Sequence, residues 1–228
     1  MLGTIVNFLA IILGSMVGLI LKKGIKEKIS NTVMSGLALC VIFIGISSTT
    51  KVNNMLLVIF SIVIGAGIGE GIDIDRLLQR LGDNIEKRFK NRNLKISEGF
   101  VTASLVYCVG SMAIIGALEG GLQGKHDILF AKSVIDGISS IIFASSLGIG
   151  VMLSSVAVLL YQGIITLMAT LLKGILIQAV ITDMTVIGGL LIMGLGLNML
   201  GVTKIKVANL LPAVFVPIVY QLIINMFF

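Results

Sequence analysis

Apolar residues run along this chain in blocks of about 20, parted by short polar breaks. That block length matches the hydrocarbon core of a bilayer, and it predicts membrane-spanning helices over nearly the whole sequence. Eight segments stand out: 2–21, 32–49, 54–72, 98–118, 129–147, 150–172, 182–200 and 207–227. The fifth and sixth are separated only by Gly148-Ile149-Gly150, which predicts a tight hairpin or one re-entrant segment. The seventh carries Asp183 at its start and Gly188, Gly189, Gly194 and Gly196 within it, so its helix propensity is weak. The fold expected is an all-α integral membrane protein, a polytopic bundle of six to eight spans.

The one long hydrophilic stretch, residues 73–97, is too short for a soluble catalytic domain. Residues 1–228 are therefore read as a single transmembrane domain, with 73–97 as a cytoplasmic loop. Within it, Ile74, Leu77, Leu78, Leu81, Ile85 and Phe89 fall on one helical face between charged positions. This predicts an amphipathic helix over 73–90, either lying on the lipid headgroups, crossing solvent as a linker or docking a partner.

Composition agrees with the pattern. Of 228 residues, 57% are hydrophobic and 12% charged. The mean hydropathy is +1.11. Soluble domains carry about twice that share of charge. The net charge of +6 does not imply nucleic acid, because the basic residues cluster in two loops. With eight spans, Lys22, Lys23, Lys26, Lys28, Lys204, Lys206 and the seven basic residues between Arg76 and Lys95 share one side. The other side has Lys51, Lys125 and Lys173, with Lys132 inside span 5. The positive-inside rule then places both termini outside the cytoplasm. The basic residues of the first span follow its apolar run, which predicts a retained helix rather than a cleaved leader. Cys40 and Cys108 lie in apolar runs and read as packing residues, not as a disulfide or metal pair.

Span 5 departs from the apolar rule. Lys132, Asp136, Ser139, Ser140, Phe143 and Ser146 recur at spacings of three and four, which puts them on one helical face. An ionisable side chain inside the membrane is costly and marks a functional site by default. Asp136 could bind a cation or exchange a proton, with serine oxygens around it; equally, Lys132 could neutralise it as a buried structural pair. Span 4 adds Ser104, Tyr107, Cys108 and Ser111, bracketed by Glu98 and Glu119. Span 6 adds Ser155, Gln162, Thr166 and Thr170, with Tyr161 beside them. These three polar faces predict a shared cavity, although such residues also serve as packing contacts between membrane helices.

Span 3 ends in Gly65-Ala66-Gly67-Ile68-Gly69-Glu70-Gly71, a stretch suited to close packing or to unwinding. Glu70 reads as a gate carboxylate or as an interfacial residue. Two weak internal echoes suggest inverted repeats. Lys51-Val52-Asn53-Asn54 returns as Lys206-Val207-Ala208-Asn209, and Gly14-Ser15-Met16 as Gly110-Ser111-Met112. Inverted repeats are a transporter construction. His126 stands alone in a loop. The sequence contains no metal-ligand spacing, nucleophile elbow or phosphate loop, so an enzyme is not expected, and neither is a metal or other cofactor.

The stretches 99–124, 132–151 and Tyr161-Gln162-Gly163, with the glycine-rich end of span 3, resemble the YqgA-like and YdfK-like bacterial membrane proteins, a family of unknown function. The resemblance covers essentially the whole chain. It implies a small multi-span protein of the bacterial plasma membrane and no particular activity. The residues themselves suggest secondary transport of a small solute or ion. Asp136 would be the coupling group and Lys132 its partner; Ser139, Ser140 and Ser111 would line the site. Gly67, Gly69, Gly148 and Gly150 would be hinges. The alternatives are a non-transporting scaffold or sensor, or a channel. The expected partners are the lipid bilayer and an unidentified solute, with homo-oligomerisation left open.

Overall fold

The computed structural model describes residues 1–22, 27–50, 52–80 and 96–227, and among these it contains helices and no strands. Spans 1 to 3 are Leu2–Lys22, Glu27–Thr49 and Met55–Ile72. Span 4 is broken into Ile96–Cys108 and Ser111–Leu122. Spans 5 and 6 are Asp127–Leu147 and Gly150–Leu167, the latter followed by a short turn of helix at Ala169–Leu172. Span 7 is Gln178–Met199, and span 8 joins a 3₁₀ segment, Val207–Phe215, to an α-helix, Val216–Phe227. Seven of these are long and apolar enough to cross a bilayer, and the broken span makes eight. The 73–90 helix is described only over 74–80, where Ile74 and Leu78 pack on the core. Its remaining positions lie outside the described residues.

Contacts between spans fix their directions. Gly3 packs against Leu129 and His126, while Gly18 packs against Ala144, so spans 1 and 5 run parallel. Gly45 meets Met193 and Gly196 meets Ala38 and Ile42, so spans 2 and 7 are antiparallel. Gly65 meets Ala213 and Gly69 meets Asn209, which makes spans 3 and 8 antiparallel too. Span 4 starts beside Gly150, where Ile96 lies, and finishes with Gly121 against Thr166 and Ala169. It therefore traverses the bundle rather than turning back. One end of the bundle holds Met1, Asn54, Asp183 and the Asn225–Gly174 hydrogen bond; it is called here the terminal end. The opposite, basic end holds Lys204 and Lys206 with the Glu70 and Asp75 region.

The ends of the helices follow local chemistry. Asn54 caps span 3 by accepting from the Leu57 N–H at 3.1 Å. Asp73 closes the same span in a left-handed conformation (φ 57°), its N–H bonded to Gly69 O. Gly148, at φ 81°, makes the turn between spans 5 and 6 that a side chain would strain. Pro212 has no N–H for an α-helical bond, and span 8 enters as nine residues of 3₁₀ helix around it. Span 7 is the centre, with 72% of its most apolar 18-residue stretch buried, against 22% in the corresponding stretches of spans 2 and 3.

The glycine-rich end of span 3 does not unwind. The helix is continuous through Ile72, and Gly65 and Gly69 are where span 8 lies against it. Gly67 faces open space. Gly150 likewise admits the Ile96 carbonyl rather than breaking a helix. The break falls instead at Gly110, with φ 136° and a 62° bend between the halves of span 4. The two sequence echoes adopt different structures: Asn54 caps an α-helix and Asn209 lies in the 3₁₀ segment. Gly14 is inside a helix, whereas Gly110 precedes one.

Close approach at Gly14 gives a direct test. A Cβ there would collide with the Gly137 carbonyl, so Gly14→Val should lower stability by about 1–3 kcal/mol, the usual cost of overpacking. Gly67→Ala should be neutral or stabilising by up to about 1 kcal/mol, since it adds helix propensity in open space. Thermal unfolding in detergent measures both, and equal damage from the two would refute this packing account.

Candidate functional site

Asp136 lies near the middle of span 5 and is 3% exposed. The i, i+4 spacing lets Lys132 reach back along the helix, and its Nζ sits 2.9 Å from each carboxylate oxygen. Asn7 of span 1 donates from Nδ2 to Oδ2 at 3.0 Å. The same amide contacts Gln162 Oε1 of span 6 at 3.4 Å. One turn toward the terminal end, Thr4 and Thr166 bring their hydroxyls to 3.5 Å. On the other side, Ser140 gives its proton to the Asp136 carbonyl at 2.6 Å. Its oxygen must then accept from Tyr107 Oη of span 4, 3.0 Å away, because serine has a single hydroxyl proton. Each of these residues is buried.

The result is a polar seam running from the terminal end to mid-bundle: Thr4 with Thr166, Asn7 with Gln162, Asp136 with Lys132, Ser140 with Tyr107. It is assembled by close helix approach. Gly14 and Gly18 bring span 1 against the backbone of span 5, which lets a short side chain such as Asn7 reach the carboxylate. Two atoms in the seam have no protein partner, Asn7 Oδ1 and Gln162 Nε2. One accepts and the other donates. A buried polar atom left unpaired costs about 1–3 kcal/mol, so the pair marks a place suited to a small polar species.

The expected site residues separate. Asp136, Lys132 and Ser140 come together as anticipated. Ser139 bonds its own helix, to Ile135 O and Asp136 O, at the edge of the seam. Ser111 lies across span 4, in a cavity with residues of spans 2 and 7. Glu70 is at the basic end, half-exposed, bonded to Lys206 and Asn209. That hydrogen bond to Glu70 raises the Lys206 pKa, with the carboxylate's charge adding to it. Any stability from this pair is present below the ordinary lysine pKa and is lost as pH rises through the raised value. Its exposure to solvent makes that contribution small. The polar faces expected to share one cavity between spans 4, 5 and 6 part company: Ser104, Cys108 and Tyr161 line an apolar cavity with span 8. Gln162 and Thr166 turn to span 1, Ser155 bonds Met152 O, and Thr170 is exposed. No group of three or more His, Cys, Asp or Glu suited to a metal occurs among the described residues.

Sequence reading missed Thr4 and Asn7, although two polar residues three apart in an apolar span are a signal in their own right. Asp183, which the sequence offered only as a weakness at the start of span 7, is 3% exposed and accepts from the Asn54 N–H at 3.3 Å, tying span 7 to the start of span 3.

Removing one member of a buried ion pair leaves the other uncompensated, at about 3–5 kcal/mol. Lys132→Met should therefore destabilise strongly, and Lys132→Met with Asp136→Leu should recover most of the loss. A double-mutant cycle on thermal unfolding in detergent measures the coupling, and strictly additive effects would show that the pair does not interact.

Comparison with known proteins agrees with this architecture. The family described as "Protein of unknown function (DUF554)" matches residues 2–222. The "Uncharacterized membrane protein YdfK" of Bacillus subtilis (strain 168) is 34% identical over 195 residues, covering 84% of this chain and 82% of that protein. The "Uncharacterized protein YqgA" of Escherichia coli (strain K12) is 28% identical over 195 residues, covering 83% of each. No solved structure matches the chain. The family match thus runs over the span-forming sequence from Leu2 to Leu222, and the chain belongs to the DUF554 family.

Proposed function

We propose that this protein is a secondary transporter of a small solute or ion, with the Asp136–Lys132 pair as the ionisable couple that links movement to protons or cations. The observation that carries this reading is a carboxylate and an ammonium buried at mid-bundle beside two unpaired amide atoms. The seam of Thr4, Thr166, Asn7 and Gln162 leads from the terminal end toward that pair. Protons and hard cations suit such oxygen-rich intramembrane sites.

Two further features support it. Spans 2 and 7 pack together, as do spans 3 and 8, while span 1 lies along span 5 as span 4 lies along span 6. This pairing suits a two-fold axis in the membrane plane that exchanges spans 1–3 with 6–8, a relation common in carriers. The charge asymmetry between loops supports an orientation with the basic end in the cytoplasm and both termini outside, in a bacterial plasma membrane.

A second reading follows from the enclosure of Asp136: two hydrogen-bonded neighbours and near-complete burial also suit a structural pair in a non-transporting scaffold. Flux separates the two. In liposomes carrying the purified protein, proton or cation flux should exceed that of empty liposomes, and Asp136→Asn should abolish it while leaving the protein folded. Absence of flux across several cations and pH gradients would favour the scaffold.

A further inference from the structure

Two polar cavities open on the same three spans from opposite ends of the bundle. At the terminal end a cavity of about 320 Å³ lies between spans 2, 4 and 7. Each described residue lining it carries a hydroxyl or an amide, among them Ser48 of span 2 and Thr50 just after it, Ser111 at the break, and Gln178, Thr182 and Thr185 of span 7. Several of the hydroxyls give their protons to their own helices: Ser48 to Ile44 O, Thr50 to Ser47 O, Thr182 to Gln178 O and Thr185 to Ile181 O. What they offer to the cavity is oxygen lone pairs. At the basic end a cavity of about 760 Å³ is lined by Asn31 and Ser35 of span 2, Thr102 of span 4 and Asn198 of span 7, together with charges of both signs. Thr102 is fully buried and its hydroxyl has no protein partner.

The two cavities approach each other closely. From Thr102 to Ser111 is nine residues, about 13 Å at helical rise, against a hydrocarbon thickness of about 30 Å. The material between them is apolar and bears on the break. Val109 is seated on Gly188 of span 7, where a Cβ would collide with it. On the remaining side of span 4 an apolar cavity of about 240 Å³ is lined by Leu105, Cys108 and Val109 of that span, which leaves the break room to shift. Tyr107, two residues before Val109, is the same residue that hydrogen-bonds Ser140 at the end of the Asp136 seam.

We propose that solute crosses between spans 2, 4 and 7, gated by Val109 at the break in span 4, and that the solute is a small uncharged molecule bearing O–H or N–H donors. Among the described residues the terminal-end cavity is lined by hydroxyl and amide oxygens and by no ionised group, so an ion held there by them would lose its hydration without a counter-charge. Its volume is at the low end of ligand sites. This rests on the transport reading above and adds the route and class of the substrate: Asp136 acts on the gate through Ser140 and Tyr107 and does not hold the solute.

The test uses the full chain with Cys40 and Cys108 replaced by alanine, reconstituted in liposomes, with single cysteines at 111, 185, 35 and 109. An impermeant cationic methanethiosulfonate is added to one face at a time. Ser111→Cys and Thr185→Cys should react from the face carrying Thr50, and Ser35→Cys, exposed in the basic-end cavity, from the opposite face. Val109→Cys should react slowest. Glycerol or xylitol should slow labelling at position 111 several-fold, and sodium chloride of equal osmolarity should not. If positions 111 and 185 react from neither face, the route is wrong. If salt protects and polyols do not, the solute class is wrong. Thr185→Cys serves where Ser111→Cys folds poorly. Labelling and polyol protection without any Asp136-dependent ion flux would overturn the ion-coupled reading and leave the route standing. Asp136-dependent flux with an inert position 111 would do the reverse.

Discussion

Asp136 and Lys132 cannot be solvated where they are, and much of the bundle is arranged around that fact. A lone charge in a low-dielectric interior costs several kcal/mol even after relaxation. Lys132 meets both carboxylate oxygens, and Asn7 adds a third contact from another span. For Asn7 to reach, spans 1 and 5 must nearly touch. Gly14, Gly18 and Gly137 make that approach, and larger residues at the first two would collide with the backbone of span 5. The charge pair thus dictates the helix packing, and the helix packing satisfies the pair.

The spans were legible because hydrophobic block length is a direct consequence of bilayer thickness. The eight segments read from the pattern agree with the observed helices to within a few residues at most ends. Asp136 and Lys132 were legible for the same reason, since charge in an apolar block is conspicuous. Their closest partner from another span was not. Asn7 is an ordinary polar residue in the sequence, and its importance comes from the approach of two helices 129 positions apart. The break in span 4 was also hidden. Gly110 is one of 27 glycines, and the conspicuous cluster at Gly65–Gly71 forms unbroken helix. Glycine permits both close packing and positive φ, and only the neighbours decide which.

Small residues between membrane helices have three fates here. At Gly14, Gly65 and Gly69 they bring backbones together and hold the fold. At Gly148 and Gly201 they reverse the chain, with φ of 81° and 74°. At Gly188 the missing side chain makes a seat for Val109. The third use differs in kind, because the seat receives a side chain from the discontinuity in span 4 rather than from a continuous helix. A break in a membrane span frees backbone groups that hydrocarbon cannot satisfy, so it persists only where protein or a cavity surrounds it. Residues 108–111 meet that condition on every side: the seam at Tyr107, the apolar cavity at Cys108 and Val109, and the hydroxyl-lined cavity at Ser111.

This placement explains why the charge pair and the cavities can be separate and still act together. An ionisable group that also held the solute would change the solute's binding energy directly each time its charge changed. On the proposed route the pair reaches the helix that would carry the gate only through Ser140, which bonds the Asp136 backbone carbonyl and Tyr107. A change in charge at Asp136 alters the field at Ser140 and Tyr107, one and two hydrogen bonds away from its backbone carbonyl. It thereby biases the position of a helix end already bent by 62°. A population shift of a hundredfold requires only about 2.7 kcal/mol of difference between the two positions. That is less than the cost of leaving either member of the pair uncompensated. If the proposed gate operates, the energy held in the buried pair is therefore sufficient to move it without the solute touching the pair.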